Sequence, residues 1–161
     1  MQPDCPTHLS AIVVGYGPVG RYVTDELEAD GYCVTIIERN EGSSDIQAGL
    51  NRLIVTGDAA DSRVLEEAGI VNAETLIVTV PNEDAAVSIC QKARELNPQV
   101  FITARANHLS YGMLCRQAGA DHVIVEEMVA AEAMRQAVHQ HVEQIDRRED
   151  SSRRRVKRQA G

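Results

Sequence analysis

Apolar runs and amphipathic stretches alternate along this chain. The runs hold consecutive apolar residues, as in β-strands covered on both faces of a sheet, and lie at 11–14, 34–37, 53–56, 75–80, 100–104 and 122–125. Apolar residues three and four positions apart predict a helix after the first run and further helices at 63–68, 85–96, 108–118 and from residue 128 onward. A short helix is also expected to start near residue 44 or 45.

Strict alternation of strands and helices predicts right-handed crossovers and a parallel sheet. The fold class is therefore α/β, a Rossmann-like doubly wound sheet of six parallel strands in the order 3-2-1-4-5-6. A ligand crevice is expected between strands one and four, where the strand order reverses. We expect residues 1–8 to be a leader, 9–145 one domain with a C-terminal extending helix, and 146–161 a polar, basic, disordered tail.

The turn after the first strand reads Gly15-Tyr16-Gly17-Pro18-Val19-Gly20. In a nucleotide-binding unit the first glycine permits the tight turn, the second lets the backbone approach a phosphate, and the third lets helix and strand pack closely. The helix N-terminus adds N–H groups and a partial positive charge. Glu38 ends the second strand, where a carboxylate accepts hydrogen bonds from ribose hydroxyls. Strand, turn, helix, strand and acid in register predict a nucleotide site.

The other residues of the turn are expected to lie against the ligand. They are Tyr16, Pro18 and Val19. Pro18 has no N–H to donate and its fixed φ suits the first helical turn, so its role is conformational. Arg21 either reaches a phosphate or is a solvated helix residue, and the sequence leaves both interpretations open.

Glu38 and Arg39 bear on the identity of the nucleotide. A carboxylate at position 38 disfavours the 2′-phosphate of NADP, whereas an adjacent arginine can accommodate one. On this basis we favour NAD or an adenine nucleotide. The alternative for Glu38 is a strand-end acid in solvent.

Side chains at the ends of strands three and five would face the same crevice. Asp58 and Ala59 follow strand three, either beside the ligand or as a turn former and helix cap. Arg105 closes strand five in an otherwise acidic body. We interpret it as an anion contact, with a salt bridge to a local carboxylate as the alternative.

Strand four ends at the switch point itself. Thr79, Val80 and Pro81 would lie beside the second half of a dinucleotide or beside a bound effector. The following Asn82-Glu83-Asp84 forms a good N-terminal cap and an acidic first turn, so the capping role is favoured for Glu83 and Asp84.

The net charge of −8 is unevenly distributed. Residues 1–145 contain nine basic and twenty-one acidic residues, a net charge of −12, while residues 146–161 contain seven basic and three acidic ones. An acidic body repels the phosphate backbone of nucleic acids. Aromatic residues are 3% of the chain, too few for the stacking that single strands require. We therefore expect no nucleic-acid partner.

Catalytic and metal-binding patterns are not found in the sequence. Cys33, Cys90 and Cys115 lie in apolar surroundings without paired spacing and are interpreted as reduced core residues. The five histidines form no catalytic or metal-binding group. No apolar run approaches the roughly 20 residues that span a bilayer, and the N-terminus lacks a signal-peptide pattern, so a cytoplasmic location is expected. A small NAD-dependent dehydrogenase is the enzymatic alternative, although no histidine or lysine is placed as its acid or base.

An apolar stripe continues beyond the last strand. Met134, Val138, Val142 (or His141) and Ile145 recur at spacings of three and four. The helix therefore packs on its own domain or crosses to a partner, which would suit a dimer. The basic run at 153–158 is usually a solvated tail, and a contact with anionic lipid is the sharper alternative.

Several segments, in this order, resemble one family. They are IVVGYGPVGR, the acid after strand two, GDAADSRVLEEAGI, TLIVTVPNEDAAV, ARELNPQVFITARA and LCRQAGADHVIVEE. Together they are similar to the N-terminal lobe of the regulator of potassium conductance (RCK) domain, also called the Trk-type NAD-binding domain, over about residues 9–140. The GYGPVG form and the tail helix most resemble the cytosolic C-terminal domains of Kef-type cation:proton antiporters.

The resemblance implies a non-catalytic Rossmann homodimer, or a higher ring assembly, that binds NAD(H), AMP, ADP or ATP. Such a domain gates a membrane cation channel or antiporter, to which it is peripheral or fused. It implies phosphate at Gly15, Gly17 and Gly20, ribose at Glu38, adenine at Asp58 and Ala59, and a phosphate or the neighbouring subunit at Arg105. Many members have arginine where this chain has Pro18, so that contact is missing or supplied by Arg21. A sensor acting on a soluble partner is the remaining alternative.

Overall fold

The computed structural model describes residues 9–40 and 52–159. The expected leader at 1–8 and the short helix near residue 44 or 45 lie outside these ranges. The described strands are β1 Ser10–Val14, β2 Cys33–Glu38, β3 Arg52–Thr56, β4 Thr75–Val78, β5 Phe101–Ala106 and β6 His122–Val125. The described α-helices are α1 Pro18–Ala29, α2 Ser62–Glu67, α3 Glu83–Leu96, α4 Leu109–Gln117 and α5 Glu126–Gln159, and a 3₁₀ turn spans Ile70–Asn72.

The six strands form one parallel sheet in the order β3-β2-β1-β4-β5-β6, which confirms the predicted Rossmann-like topology. Strand β1 lies at the centre, where Val13 is in register with Ile36 of β2 and Ile77 of β4. The strand order reverses between β1 and β4. A crevice at the carboxyl ends of these two strands is the usual ligand position in such sheets.

Each face of the sheet carries its own apolar core. Ala11 and Val13 of β1 point to the face that packs against Val23 and Leu27 of α1. Ile12 and Val14 point to the opposite face, where the core also includes Leu65 of α2, Ile89 of α3 and Cys115 of α4. Because successive side chains of a strand alternate between faces, burial on both sides requires the continuous apolar runs seen in the sequence.

The carboxyl ends of two strands differ by two residues from those expected. Strand β4 ends at Val78 rather than residue 80, so Thr79 and Val80 belong to the loop beyond it. Strand β5 extends to Ala106 rather than residue 104, because β6 pairs with it as far as Val125. Arg105 is therefore inside a strand, in register with Ile124, and does not close the strand as the sequence suggested.

The cysteines within the described ranges are of two kinds. Cys90 and Cys115 are free and buried, as expected of core residues. A hydrogen bond with Cys115, together with burial, raises the pKa of the Cys90 thiol well above its usual range. Cys33, at the start of β2, is disulfide-bonded, so the interpretation of a reduced core thiol is wrong at that position. The spacing of cysteines along a chain does not reveal which of them meet in space.

The chain divides into two compact units, residues 1–126 and 127–161. This division comes earlier than the boundary at 145 suggested by the sequence. Helix α5 supplies the second unit and continues through Gln159, so the backbone is helical where disorder was expected from residue 146. The helix contains neither glycine nor proline, and pairs one turn apart, such as Arg147 with Glu143 at 3.6 Å, favour it.

The apolar stripe predicted on the last helix lies on its surface. Met134, Val138, Val142 and Ile145 are all exposed, and the first three line a shallow depression together with Arg135 and His139. Within the described ranges, none of the helices is both long and apolar enough to cross a bilayer.

Candidate nucleotide-binding site

A cavity of about 390 Å³ lies at the carboxyl ends of the central strands. Its wall contains every residue that the sequence singled out as a ligand contact, namely Gly15, Tyr16, Gly17, Pro18, Val19, Gly20, Glu38, Arg39, Asp58, Ala59, Thr79, Val80, Pro81 and Arg105. Parallel strands bring their carboxyl ends to one edge of the sheet, which is why residues distant in sequence meet here.

The steric requirement for glycine differs among the three positions of the turn. Gly15 has a φ of +92°, a left-handed conformation that disfavours side chains. A Cβ at Gly20 would lie 2.1 Å from the carbonyl oxygen of Gly15, so α1 can approach β1 only with glycine there. A Cβ at Gly17 would meet nothing within 4 Å. The fold does not require glycine at position 17, and the open space beside it suits a phosphate.

Helix α1 begins at the cavity wall. Gly17 is its N-cap, has no side chain to cap the helix, and accepts a hydrogen bond from the Arg21 N–H at 2.9 Å. The N–H groups of Val19 and Gly20 precede the first intrahelical donor, so the helix provides no acceptor for them. Pro18 contributes no N–H. An anion at this end of α1 would meet these two donors and the positive end of the helix dipole.

The carboxylate of Glu38 is held by backbone N–H groups at the cavity edge. The Tyr16 N–H donates to Oε2 at 2.9 Å, and the Asn40 N–H donates to Oε1 at 3.1 Å. Each carboxylate oxygen can accept a further hydrogen bond. This geometry does not match a strand-end acid that merely extends into solvent. It leaves acceptors fixed beside the glycine turn, where ribose hydroxyls could donate to them.

Arg21 is engaged with the turn itself. Its Nε donates to the Tyr16 carbonyl oxygen at 3.2 Å, and its guanidinium lies 5.3 Å from the centre of the Tyr16 ring. The sequence left open a phosphate contact or a solvated helix residue, and the structure adds a third role, support of the turn. Arg21 is absent from the described cavity wall.

Thr79 ties strand β4 to the glycine turn. Its buried hydroxyl lies 2.9 Å from the carbonyl oxygen of Val14 and 3.1 Å from that of Gly15, and it donates its single hydrogen toward this pair. Its backbone N–H also donates to the Val14 carbonyl at 2.9 Å. The side chain therefore fixes the turn, and Thr79 also lines the cavity in which the sequence predicts a ligand contact.

Asp58 forms a turn and also lines the cavity. Its Oδ1 accepts a hydrogen bond from the Ala60 N–H at 2.9 Å, as in an Asx-turn. Its Oδ2 lies 4.0 Å from the guanidinium of Arg39, a largely exposed pair. Both interpretations of Asp58 are therefore compatible with its position. Ala59 beside it is buried and provides an apolar part of the wall.

Arg105 lines the cavity and forms an ion pair. Its Nε lies 2.6 Å from Oε1 of Glu126, the first residue of α5. The Nε atom is buried and has no hydrogen-bond partner of acceptable geometry, although the Glu126 carboxylate lies close to it. The salt bridge that was the alternative for Arg105 is thus present, in a side chain that also borders the cavity.

The cavity wall includes residues that the sequence did not predict as ligand contacts. They are Val14, Ile37, Asn40, Gly57, Asn82, Ala85 and Ile89. Asn82 has the predicted capping role, because its Oδ1 accepts from the Ala85 N–H at 2.8 Å. Ala85 and Ile89 are four residues apart on α3, and this spacing could have indicated a shared face.

In the described part of the chain, no group of three or more His, Cys, Asp or Glu side chains could hold a metal ion.

The fold and this site define a Rossmann-like α/β domain with a glycine turn and a strand-end acid at one cavity. The TrkA-N domain family model matches residues 11–126, so the chain belongs to the TrkA-N domain family.

Curated relatives and solved structures agree with this family. The Trk system potassium uptake protein TrkA homolog of Pyrococcus abyssi is 37% identical over 95 residues, covering 58% of this chain and 42% of the relative. The TrkA-N domain of the inner membrane protein YbaL of Escherichia coli has a TM-score of 0.75 and 30% identity over 80% of this chain and 95% of that one. The Kef CTD of Shewanella denitrificans, in AMP bound form, has a TM-score of 0.69 and 30% identity over 78% of this chain and 75% of that one. The chain thus matches less than half the length of the Pyrococcus abyssi relative.

The two glycines at positions 17 and 20 give a stability prediction. Gly20→Ala should lower the free energy of unfolding by about 3 kcal/mol or more, because the new Cβ collides with backbone. Gly17→Val, whose Cβ enters open space, should change it by about 1 kcal/mol or less. Urea unfolding followed by circular dichroism measures both. Equal destabilisation by the two substitutions would contradict the different roles assigned to these glycines.

Proposed function

We propose that this domain binds an adenine nucleotide at the glycine turn and, without catalysing a reaction, regulates a membrane cation transporter or channel. One observation carries the binding proposal. The open space beside Gly17 and the backbone-held carboxylate of Glu38 lie on the same cavity. The first suits a phosphate and the second suits a ribose, so one nucleotide could occupy both.

The charges of Glu38 and Arg39 narrow the choice among candidate nucleotides. Glu38 disfavours a 2′-phosphate, and the nearby Arg39 already lies 4.0 Å from the Asp58 carboxylate, so its charge is partly balanced. Both features favour NAD, AMP, ADP or ATP over NADP. The AMP bound form of the Kef CTD, a related chain at 30% identity, supports an adenine nucleotide.

The enzymatic alternative has less support from the residues of the cavity. Its described wall includes ionisable side chains only at Tyr16, Glu38, Arg39, Asp58 and Arg105. A dehydrogenase needs a placed acid or base beside the reacting carbon, and a histidine or lysine is the usual choice. The tyrosine hydroxyl accepts a hydrogen bond from Arg52, and both carboxylates accept backbone N–H groups. We therefore propose a sensing role for the ligand.

The proposed partner is suggested by the relatives. One is named a potassium uptake protein and another an inner membrane protein. Because this chain matches only part of the full-length relative, its attachment to a transporter is part of the proposal.

We further propose that the domain acts as a homodimer or a higher ring assembly in the cytoplasm. The exposed apolar side chains of Met134, Val138 and Val142 on α5 are compatible with a contact between copies.

Nucleotide binding can be measured directly on the purified chain by isothermal titration calorimetry with AMP, ADP, NAD and NADP. The wild-type protein should bind at least one of the first three, and NADP more weakly than NAD. Gly17→Val should abolish binding because its side chain occupies the proposed phosphate position. Glu38→Gln should weaken binding about tenfold or more, since hydrogen bonds to a charged group contribute roughly 1.5–3 kcal/mol.

Glu66→Gln is the matched control for these titrations. It removes the same charge from an exposed position on α2, outside the described cavity wall, and should leave every affinity unchanged. Normal affinity in both Gly17→Val and Glu38→Gln would contradict the proposed site. Oxidation of a hydroxy acid coupled to NAD reduction, detected by absorbance, would instead support the enzymatic alternative.

The regulatory part of the proposal is tested in the native host. Gly17→Val introduced into the chromosomal gene should change potassium or other cation flux across the membrane at an unchanged protein level. Glu66→Gln should leave that flux as in the wild type. An unaltered flux in Gly17→Val cells, combined with lost nucleotide binding in vitro, would favour a sensor that acts on a soluble partner.

A further inference from the structure

We propose that Arg52 is a positioning residue for the ribose-binding carboxylate of Glu38 and acts on it through Tyr16. The inference rests on the proposed function and concerns a residue outside the described cavity wall. Arg52 is the first residue of β3, at the amino end of that strand, whereas Glu38 lies at the carboxyl end of β2. Because these positions lie at opposite ends of the sheet, Arg52 can influence Glu38 only through an intermediate residue. Tyr16 contacts both of them.

Arg52 is firmly held. Its side chain is 15% exposed and forms two parallel hydrogen bonds with Glu28 of α1, from Nε to Oε1 at 2.8 Å and from Nη2 to Oε2 at 2.6 Å. Such a bidentate pair fixes the plane of the guanidinium. The hydrogen bond to Glu28 raises the pKa of Arg52 above its already high value. Its Nη1 then donates to the hydroxyl oxygen of Tyr16 at 2.8 Å.

The Tyr16 ring extends from the glycine turn into the core between the sheet and α1. Tyr16 is buried in the apolar cluster that includes Val13, Val34 and Ile36. The Arg52 guanidinium lies 5.7 Å from the ring centre, within the range of a cation–π contact. Packing and the hydrogen bond at its tip leave the ring little freedom to move.

The backbone of the same tyrosine holds the site. Its N–H donates to Glu38 Oε2 at 2.9 Å, and its carbonyl oxygen accepts a hydrogen bond from Arg21 at 3.2 Å. A series of contacts therefore runs from Glu28 through Arg52 and Tyr16 to Glu38. If the ring shifts, the N–H that orients the carboxylate shifts with it. Arg52 thereby fixes the direction from which Glu38 meets the ribose.

A purely stabilising role for Arg52 makes a different prediction. A structural ion pair would change the free energy of unfolding but leave the preference for ribose hydroxyls intact. A positioning role changes that preference. The probes are AMP and its 2′,3′-dideoxy analogue, which share the adenine and the phosphate and differ only in the hydroxyls. The ratio of their dissociation constants measures the ribose contact separately from the phosphate contact.

In calorimetric titrations the wild-type protein should prefer AMP over the dideoxy analogue by about tenfold or more. Arg52→Met, which keeps an unbranched side chain without the charge, should reduce this preference about threefold or more. Tyr16→Phe, which keeps the ring and removes only the hydroxyl, should do the same. Affinity for the dideoxy analogue should stay within about twofold in both variants. In a Glu38→Gln background, Arg52→Met should cause no further loss of preference.

Asp25→Asn is the control, because Asp25 is an exposed second partner of Arg52 at 3.1 Å and should not alter the preference. If Arg52→Met does not fold, Tyr16→Phe decides the question. A wild-type preference that survives in Tyr16→Phe and in folded Arg52→Met would overturn the inference and leave the proposed function intact. Absence of AMP binding by the wild type, or binding without preference for the hydroxyls, would overturn the inference together with the assignment of AMP or of Glu38.

Discussion

Close packing of helix α1 against strand β1 determines most of the geometry of this domain. The packing requires glycine at position 20, because any Cβ there would lie 2.1 Å from the Gly15 carbonyl oxygen. With the helix held so close, the turn is short and the N-terminus of α1 opens at the cavity. The same turn places the Tyr16 N–H against Glu38 and the Val14 and Gly15 carbonyls against the Thr79 hydroxyl. One steric constraint therefore sets the positions of both the proposed phosphate region and the proposed ribose region of the candidate site.

The sequence predicts the fold and the membership of the cavity wall well, because both follow from regular patterns. Alternating strands and helices determine the strand order, and a parallel sheet gathers its strand ends at one edge. What individual side chains do there is less predictable. Arg105 was expected to close β5, but pairing with β6 extends the strand past it and Glu126 binds it. The contact of Arg52 with Tyr16 joins residues that share no element or periodicity, so only the folded chain reveals it.

The proposed role of the described cavity is to hold a nucleotide rather than to convert one. Three of its four charged side chains are held by specific contacts: Glu38 by backbone N–H groups, Asp58 by a turn, and Arg105 by Glu126. Groups fixed in this way recognise a ligand with little reorganisation, which favours specific binding. Arg105 also borders the cavity while it pairs with the first residue of α5. We propose that occupancy of the site, rather than chemistry within it, carries the signal.

The most direct test of this account is the response of the backbone amides to AMP in ¹H–¹⁵N NMR spectra of the labelled protein. We predict that saturable shifts concentrate on the amides of Gly17, Val19 and Gly20, on Tyr16 and Asn40 around Glu38, and on the ends of β3 and β4. The amides of β6 and of α4 should be unaffected. Shifts that spare the glycine turn, or that centre on another part of the chain, would contradict the central claim that the turn and Glu38 together form the nucleotide site.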